Sequence, residues 1–207
     1  ELGRLVYVGG VWKPDNLNLV PREWKKCLVQ LRAHGEELIE YGNSIGNTIL
    51  VERGERLYGY ALRCSNEPKF KHGIAHAETD VTVEHHQFDK SLHLLNVANG
   101  TINLKSGELL PHRREDMLTH QLDVAYDADA TAPRFEEFLQ EIFPDNPELP
   151  QFMQTLCGYL STGEISEQII VTCHGPGANG KSVFWGAIGS VLRPLVQYTA
   201  MSTFEKR

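Results

Sequence analysis

The residues with the clearest chemical potential form one run, His174-Gly175-Pro176-Gly177-Ala178-Asn179-Gly180-Lys181-Ser182. Within it, Gly175-x-x-x-x-Gly180-Lys181-Ser182 fits the G-x-x-x-x-G-K-[ST] pattern of a phosphate-binding loop. Average residue usage produces such a match in about one chain in a hundred of this length. Gly175, Gly177 and Gly180 let the backbone turn tightly, and Pro176, Ala178 and Asn179 complete the nucleotide-binding loop. Successive N–H groups then aim at a β-phosphate, and the start of the following helix adds a favourable dipole. Lys181, the expected catalytic residue, sets a positive charge against the β- and γ-phosphates, and the Ser182 hydroxyl is the expected ligand to Mg²⁺. ATP and Mg²⁺ are the implied cofactors. The plain alternative is a glycine-rich turn that binds nothing.

Such a loop needs a buried strand before it and a helix after it. Gln168-Ile169-Ile170-Val171-Thr172-Cys173 is a β-branched run of strand length. Val183, Phe184, Ala187, Ile188, Val191 and Leu192 then fall on one helical face. The loop by itself names no reaction, since kinases, GTPases and motor ATPases share it. Hydrolysis also needs an acidic strand to hold the metal and orient water, usually with an arginine from a neighbouring subunit. Val196-Gln197-Tyr198-Thr199 is a further possible strand and Glu205 a lone acid; neither makes a convincing metal-binding strand. The expectation is a segment that holds the binding half of an ATPase without the half that hydrolyses.

Upstream, Leu5 to Val11 reads as two short strands around Gly9-Gly10. A helix is expected from Arg22 to about Tyr41, with Trp24, Cys27, Leu28, Leu31 and Leu38 on one face and Gly42-Asn43 as its stop. A second is expected over Asn47 to Cys64, weakened by Gly54 and Gly59, and a third over about Pro68 to Glu78. Between Leu92 and Tyr126, short apolar runs alternate with Asn99-Gly100 and Ser106-Gly107. They predict a small antiparallel sheet in which Leu122 to Tyr126 is one strand and Asn-Gly supplies positive φ. Asp127 to Thr131 is a polar break. Beyond it, Phe135, Phe138, Leu139, Ile142 and Phe143 make an apolar helical stripe. Asn146 and Pro147 then open a helix whose apolar face is Phe152, Leu156, Tyr159 and Leu160.

Composition narrows the class. Of 207 residues, 41% are hydrophobic and 23% charged, as in an ordinary globular protein. No apolar run approaches the roughly 20 residues of a membrane span, so no membrane partner is expected. The start, Glu1-Leu2-Gly3-Arg4, lacks a basic-then-apolar leader and an initiator Met, which suggests a segment of a longer protein. Cys27, Cys64, Cys157 and Cys173 form no Cys-x-x-Cys pair and are expected as free, mostly buried thiols in a reducing cytoplasm. A net charge of −7 suits a phosphate backbone poorly, so DNA contacts would come from a local patch or from residues outside this segment.

Other groupings carry less. His72-x-x-x-His76 and His85-His86 have metal-ligand spacing but no acidic partner motif, and read better as surface or capping histidines. Asp127 and Asp129 read as a loop leading into a helix at Pro133. His112-Arg113-Arg114 is the densest basic spot, either a DNA or inter-subunit contact or a solvated loop. Trp24, Trp185 and the Phe stripe read as packing.

Several short stretches together resemble one family. Leu94 to Leu104 (LLNVANGTINL), Gly107-Glu108-Leu109 and Pro111-His112 are similar to the accessory region before the helicase core of phage and plasmid primase-helicases. So are Tyr126-Asp127, Ala130, Pro133, Phe138-Leu139, Gly158-Tyr159-Leu160 and Thr162-Gly163. Gly177-Ala178-Asn179-Gly180-Lys181-Ser182, with Asn before the last glycine, resembles the loop of superfamily 3 helicases, and poxvirus primase-helicases share the layout. The resemblance runs from about Trp24 to the C-terminus.

It implies an α/β chain, in which an α+β accessory region precedes the first strand–P-loop–helix unit of a P-loop NTPase core. The expected domains are an accessory collar over residues 1–130, a helical lead-in over 131–165 and the start of the ATPase over 166–207. It further implies an ATP-driven replicative DNA helicase working as a ring, usually a hexamer, with a primase attached or associated. The setting would be the cytoplasm of a bacterial host, from a phage, prophage or plasmid. Gly175, Gly180, Lys181 and Ser182 carry over as phosphate and Mg²⁺ residues. The family's acidic motif, sensor, pore loop and arginine finger have no counterparts here. Two rivals stand beside this reading: a non-catalytic module for oligomerisation or primase recruitment, and a P-loop kinase.

Overall fold

Glycines in register decide how the first two long helices pack. In the computed structural model, which describes residues 3–200 and 203, helix α1 (Leu19–Ser44) and helix α2 (Thr48–Cys64) form an antiparallel pair. A Cβ added to Gly54 would lie 2.6 Å from the Gly35 carbonyl, and one added to Gly35 would lie 2.9 Å from the Gly54 carbonyl. The two backbones therefore touch where side chains would otherwise hold them apart. Leu28, Gly35 and Gly42 on α1 and Gly54 and Ala61 on α2 are the buried residues of the pair, each set spaced by seven. That spacing keeps one seam facing the partner helix.

This packing revises two expectations. Gly42 does not stop α1: an added Cβ would meet Val51 N at 2.9 Å and Asn47 O at 3.0 Å, so the glycine is a point of contact within the helix. The chain turns instead at Ile45-Gly46, where Gly46 takes φ +70°. Asn47 then caps α2, its Oδ1 accepting from Ile49 N (3.1 Å) and Leu50 N (3.2 Å). At the other end, the Asp15 carboxylate accepts from Leu19 N (2.6 Å) and Val20 N (3.1 Å), which lets α1 begin before Arg22. Cys27, expected on the packed face, is exposed. Helix α3 (Glu67–Asp80) lies close to its expected span, with Gly73 against the Trp24 ring.

Contacts divide the chain into two compact units, Glu1–Val6 with Lys13–His85, and Tyr7–Trp12 with His86–Arg207. The three helices make up most of the first. Strands β1 (Leu5–Val8) and β2 (Val11–Pro14) pair around Gly9 and Gly10, both at positive φ as the tight turn requires. The second unit contains the tip of this hairpin.

That unit also holds an antiparallel sheet in the order β3 (Leu94–Val97), β4 (Gly100–Asn103), β5 (Glu108–Leu110). The register sets Val97 opposite Gly100, so Ala98 and Asn99 form the turn. Neither Asn99 nor Gly100 has positive φ. Gly100 is needed for a different reason, since a Cβ there would lie 2.5 Å from the Leu110 carbonyl of the neighbouring strand. Asn99 bonds sideways through both amide atoms, to Tyr126 N (2.9 Å) and Tyr126 O (2.8 Å). Leu122–Tyr126 is not a strand. It runs along β3 with two backbone bonds, Leu122 N to Asn96 O and Ala98 N to Val124 O, both 2.9 Å. Buried Val97, Ile102, Leu122 and Leu192 form the core here.

Helices α4 (Pro133–Ile142), α5 (Leu149–Leu160) and α6 (Lys181–Val191) complete the unit. Helix α5 starts at Leu149, later than the Asn146-Pro147 reading, and in the turn ahead of it Asn146 Oδ1 accepts from Glu148 N at 3.1 Å. Its buried residues are Met153 and Leu156; Phe152 and Leu160 are exposed.

The expected strand over Gln168–Cys173 does not form, and neither does that over Val196–Thr199. Among the described residues no strand lies beside either, and β-branched residues need a hydrogen-bonded neighbour before they make a strand. Ile170 is 94% exposed. Glu205 lies outside the described residues. The four cysteines are free, with Cys27 and Cys173 exposed and Cys64 and Cys157 half-buried, so the expectation of mostly buried thiols fails. Among the described residues no helix is long and apolar enough to cross a membrane.

The helix pair yields a paired test. Gly54→Val drives a side chain into the Gly35 carbonyl and should destabilise the protein by roughly 2–3 kcal/mol. Gly59→Ala meets only the mobile end of Arg63, at 3.3 Å. It should stabilise by about 0.5–1 kcal/mol. Urea unfolding followed by circular dichroism separates the two; equal effects would refute the close approach.

Candidate functional site

The loop of interest is shaped by what lies beneath it. Gly180 precedes the first residue of α6 and sits at φ +78°, in the left-handed region where a side chain is strained. A Cβ there would also lie 2.5 Å from Ile142 Cγ2 and 3.2 Å from the Phe138 ring. Helix α4 thus presses on the loop where only glycine leaves room. Ala178 is left-handed as well, at φ +58°. These two positions flank Asn179 and curl the chain back on itself.

Lys181 opens α6 and turns its ammonium into the loop. Nζ donates to Asn179 Oδ1 at 2.6 Å, Pro176 O at 3.1 Å and Gly175 O at 3.2 Å. Asn179 Nδ2 lies 2.4 Å from where a Cβ on Gly175 would be, so that glycine makes space for the amide. Ser182, the next residue of α6, is exposed, as are Pro176 and Gly177. The structure therefore gathers Gly175, Pro176, Asn179 and Lys181 around one charge and leaves the Ser182 side chain on the surface at the start of the helix.

The helix is anchored by Phe184, which is buried with Met153 and Leu156. Its ring stacks on Phe135 at 6.1 Å and meets Trp185 edge-on at 5.2 Å. Trp185 Nε1 donates to Cys173 Sγ at 3.2 Å, tying the extended segment before the loop to α6. Beside the loop lies a cavity of about 230 Å³ whose walls include Phe143, Phe152, Cys173, His174, Lys181 and Trp185. It offers aromatic faces next to a cation, an arrangement suited to a flat ring attached to an anionic tail.

Sequence reasoning missed this wall. Phe143 and Trp185 read as packing, and Phe152 was assigned to a buried face. The usable signal was the Phe138–Ile142 stripe, whose Phe138 and Ile142 side chains pack where Gly180 has none.

The other groupings have these surroundings. Among the described residues no group of three or more His, Cys, Asp or Glu is placed to hold a metal ion. Asp127 Oδ1 accepts from Asp129 N at 3.0 Å, a local turn before α4. In the basic spot, the His112 ring covers Gly10, and Arg114 pairs with Glu115 at 2.8 Å. His93 Nε2 meets Glu164 Oε1 at 3.1 Å, a pair absent from the sequence reading.

Burial raises the Cys157 thiol above its usual range, so at a given pH it holds less thiolate. Cys173 is exposed beside the loop. Iodoacetamide at about pH 8 should therefore alkylate Cys173 well before Cys157, as read by peptide mass spectrometry. The reverse order would contradict the packing of α5 against α6.

A comparison with curated proteins finds no match to this chain. The family model described as D5 N terminal like matches residues 1–144. That stretch takes in the three-helix unit, both sheets and α4, and stops before α5 and the loop. The chain belongs to this D5 N-terminal-like family of primase-helicase proteins.

Proposed function

We propose that this chain is the ATP-binding part of a replicative DNA helicase of superfamily 3, from a phage, prophage or plasmid. The observation that carries the reading is Lys181, which starts α6 and is wrapped by a loop turned twice through the left-handed region at Ala178 and Gly180. A cation, a helix N-terminus and a hydroxyl one residue on form a donor set that suits a polyphosphate and its metal. Lys181 would contact the β- and γ-phosphates, Ser182 would supply a ligand to Mg²⁺, and the adjoining aromatic cavity would take the base. Mg²⁺ held there would supply neutralisation of the phosphate charge.

Membership in the primase-helicase family supports the replicative setting. In the longer protein, ATP held here would drive unwinding of DNA by a ring, expected as a hexamer, with a primase attached or associated. Exposed apolar side chains on the helix pair, among them Val29, Tyr41, Ile49 and Leu62, favour self-association. They equally suit the second reading, a non-catalytic assembly or primase-recruiting module.

Two measurements decide. Lys181→Ala should weaken binding of MgATP by about tenfold or more, the worth of charge-assisted bonds, without a matching loss of stability. Unchanged affinity by calorimetry would sink the phosphate role and leave the assembly module. Light scattering over rising concentration, with ATP and DNA present, should show growing oligomers; a strict monomer throughout would count against the ring.

A further inference from the structure

We propose that Asn179 is a positioning residue, a latch that holds the Lys181 ammonium inside the loop until a polyphosphate displaces it. The inference rests on the reading of the loop as a phosphate site. A lysine ammonium has three donors and no acceptor. All three are matched here, by Asn179 Oδ1 and by the carbonyls of Pro176 and Gly175. The Asn179 bond, at 2.6 Å, is the shortest of them. It is also the only one made by a side chain that can swing away.

The direction of these bonds matters. An anion is cradled by inward N–H groups. In this loop, two carbonyls and one amide oxygen face inward, gathered by the lysine. The loop thus presents acceptors to its own cation, and a phosphate has to compete with them. Among the described residues no carboxylate pairs with Lys181, so a neutral amide is what restrains the charge.

Three further features hold the amide in place. Ala178 and Gly180, at φ +58° and +78°, curl the backbone on either side of Asn179. Gly175 lacks the Cβ that would lie 2.4 Å from Asn179 Nδ2. Any other residue at 175 would push the amide off the lysine. Gly175, Asn179 and Lys181 therefore act as one closed unit, and Asn179 sets how firmly the loop stays shut.

The amide is a measured restraint. A carboxylate at the same position would grip the ammonium harder and repel an incoming phosphate, whereas a methyl group would release the ammonium. The signs of the two substitutions are opposite, which separates a latch from a merely structural asparagine.

The test uses the 207-residue chain with inorganic tripolyphosphate as the probe, titrated by calorimetry against wild type, Asn179→Ala and Asn179→Asp. Asn179→Ala should bind about fivefold tighter and Asn179→Asp about tenfold weaker, the latter deficit shrinking as salt is raised. Equal or weaker binding by Asn179→Ala would overturn the latch. A second measurement needs no ligand. In ¹⁵N NMR of lysine ammonium groups, wild type should show a slowly exchanging Lys181 signal, identified by its loss in Lys181→Ala and also lost in Asn179→Ala. If wild type shows no protected signal, the latch fails. If the protected signal is present and depends on Asn179 but no variant binds tripolyphosphate, the latch stands and the phosphate reading falls.

Discussion

The approach of helix α4 to Gly180 is the constraint on which the loop depends. Ile142 Cγ2 occupies the place of the missing side chain, with the Phe138 ring close by. Gly180 is left-handed at the same point, so sterics and backbone conformation both demand glycine. The loop cannot relax toward α4, and α6 has to start at Lys181. From that start follow the inward turn of the ammonium and the burial of Phe184 one turn below it. The stretch matched by the family model ends two residues after Ile142. The last helix of the family's region is therefore the surface against which the loop is moulded.

Glycine plays two distinct parts in this chain. In the loop and at the Gly9-Gly10 turn it supplies backbone angles that other residues reach only with strain. At Gly35, Gly42, Gly54 and Gly100 the angles are ordinary, and the absent side chain is what counts. Each of those four has a backbone atom of a neighbouring helix or strand within 3.0 Å of a notional Cβ. Helix propensity alone treats Gly54 as a weakness costing about 1 kcal/mol. The packing it allows, with Leu28 and Ala61 buried in the same seam, offsets that cost through contact along both helices.

How much was legible in the sequence follows from the range of the forces involved. Helices written in periodicity were readable: α2 and α3 lie within about two residues of their expected spans. So was a helix directly after Gly180. Features set by distant partners were not. Gly42 looked like a helix stop because its partner, Val51, lies across a turn. Asn99-Gly100 looked like a positive-φ turn because the reason for Gly100, the Leu110 carbonyl, belongs to another strand. Gln168–Cys173 has strand composition, and composition cannot supply the neighbour a strand needs. The aromatic cavity wall is not legible because period places Phe152 on the buried face, whereas Met153 joins the expected Leu156 there.

Electrostatics explain why such a loop can exist in an acidic chain. With a net charge of −7, a lone half-buried lysine would be expected to draw a carboxylate, and a carboxylate in the loop would spoil it for any anion. The chain meets the ammonium's needs with neutral oxygens instead, two from the backbone and one from Asn179. Each accepts a charge-assisted bond without adding a negative charge. The cation keeps its field while losing its unpaired donors. A carboxylate at position 179 would grip the ammonium harder and cancel that field. An amide satisfies the donors and leaves the charge uncancelled.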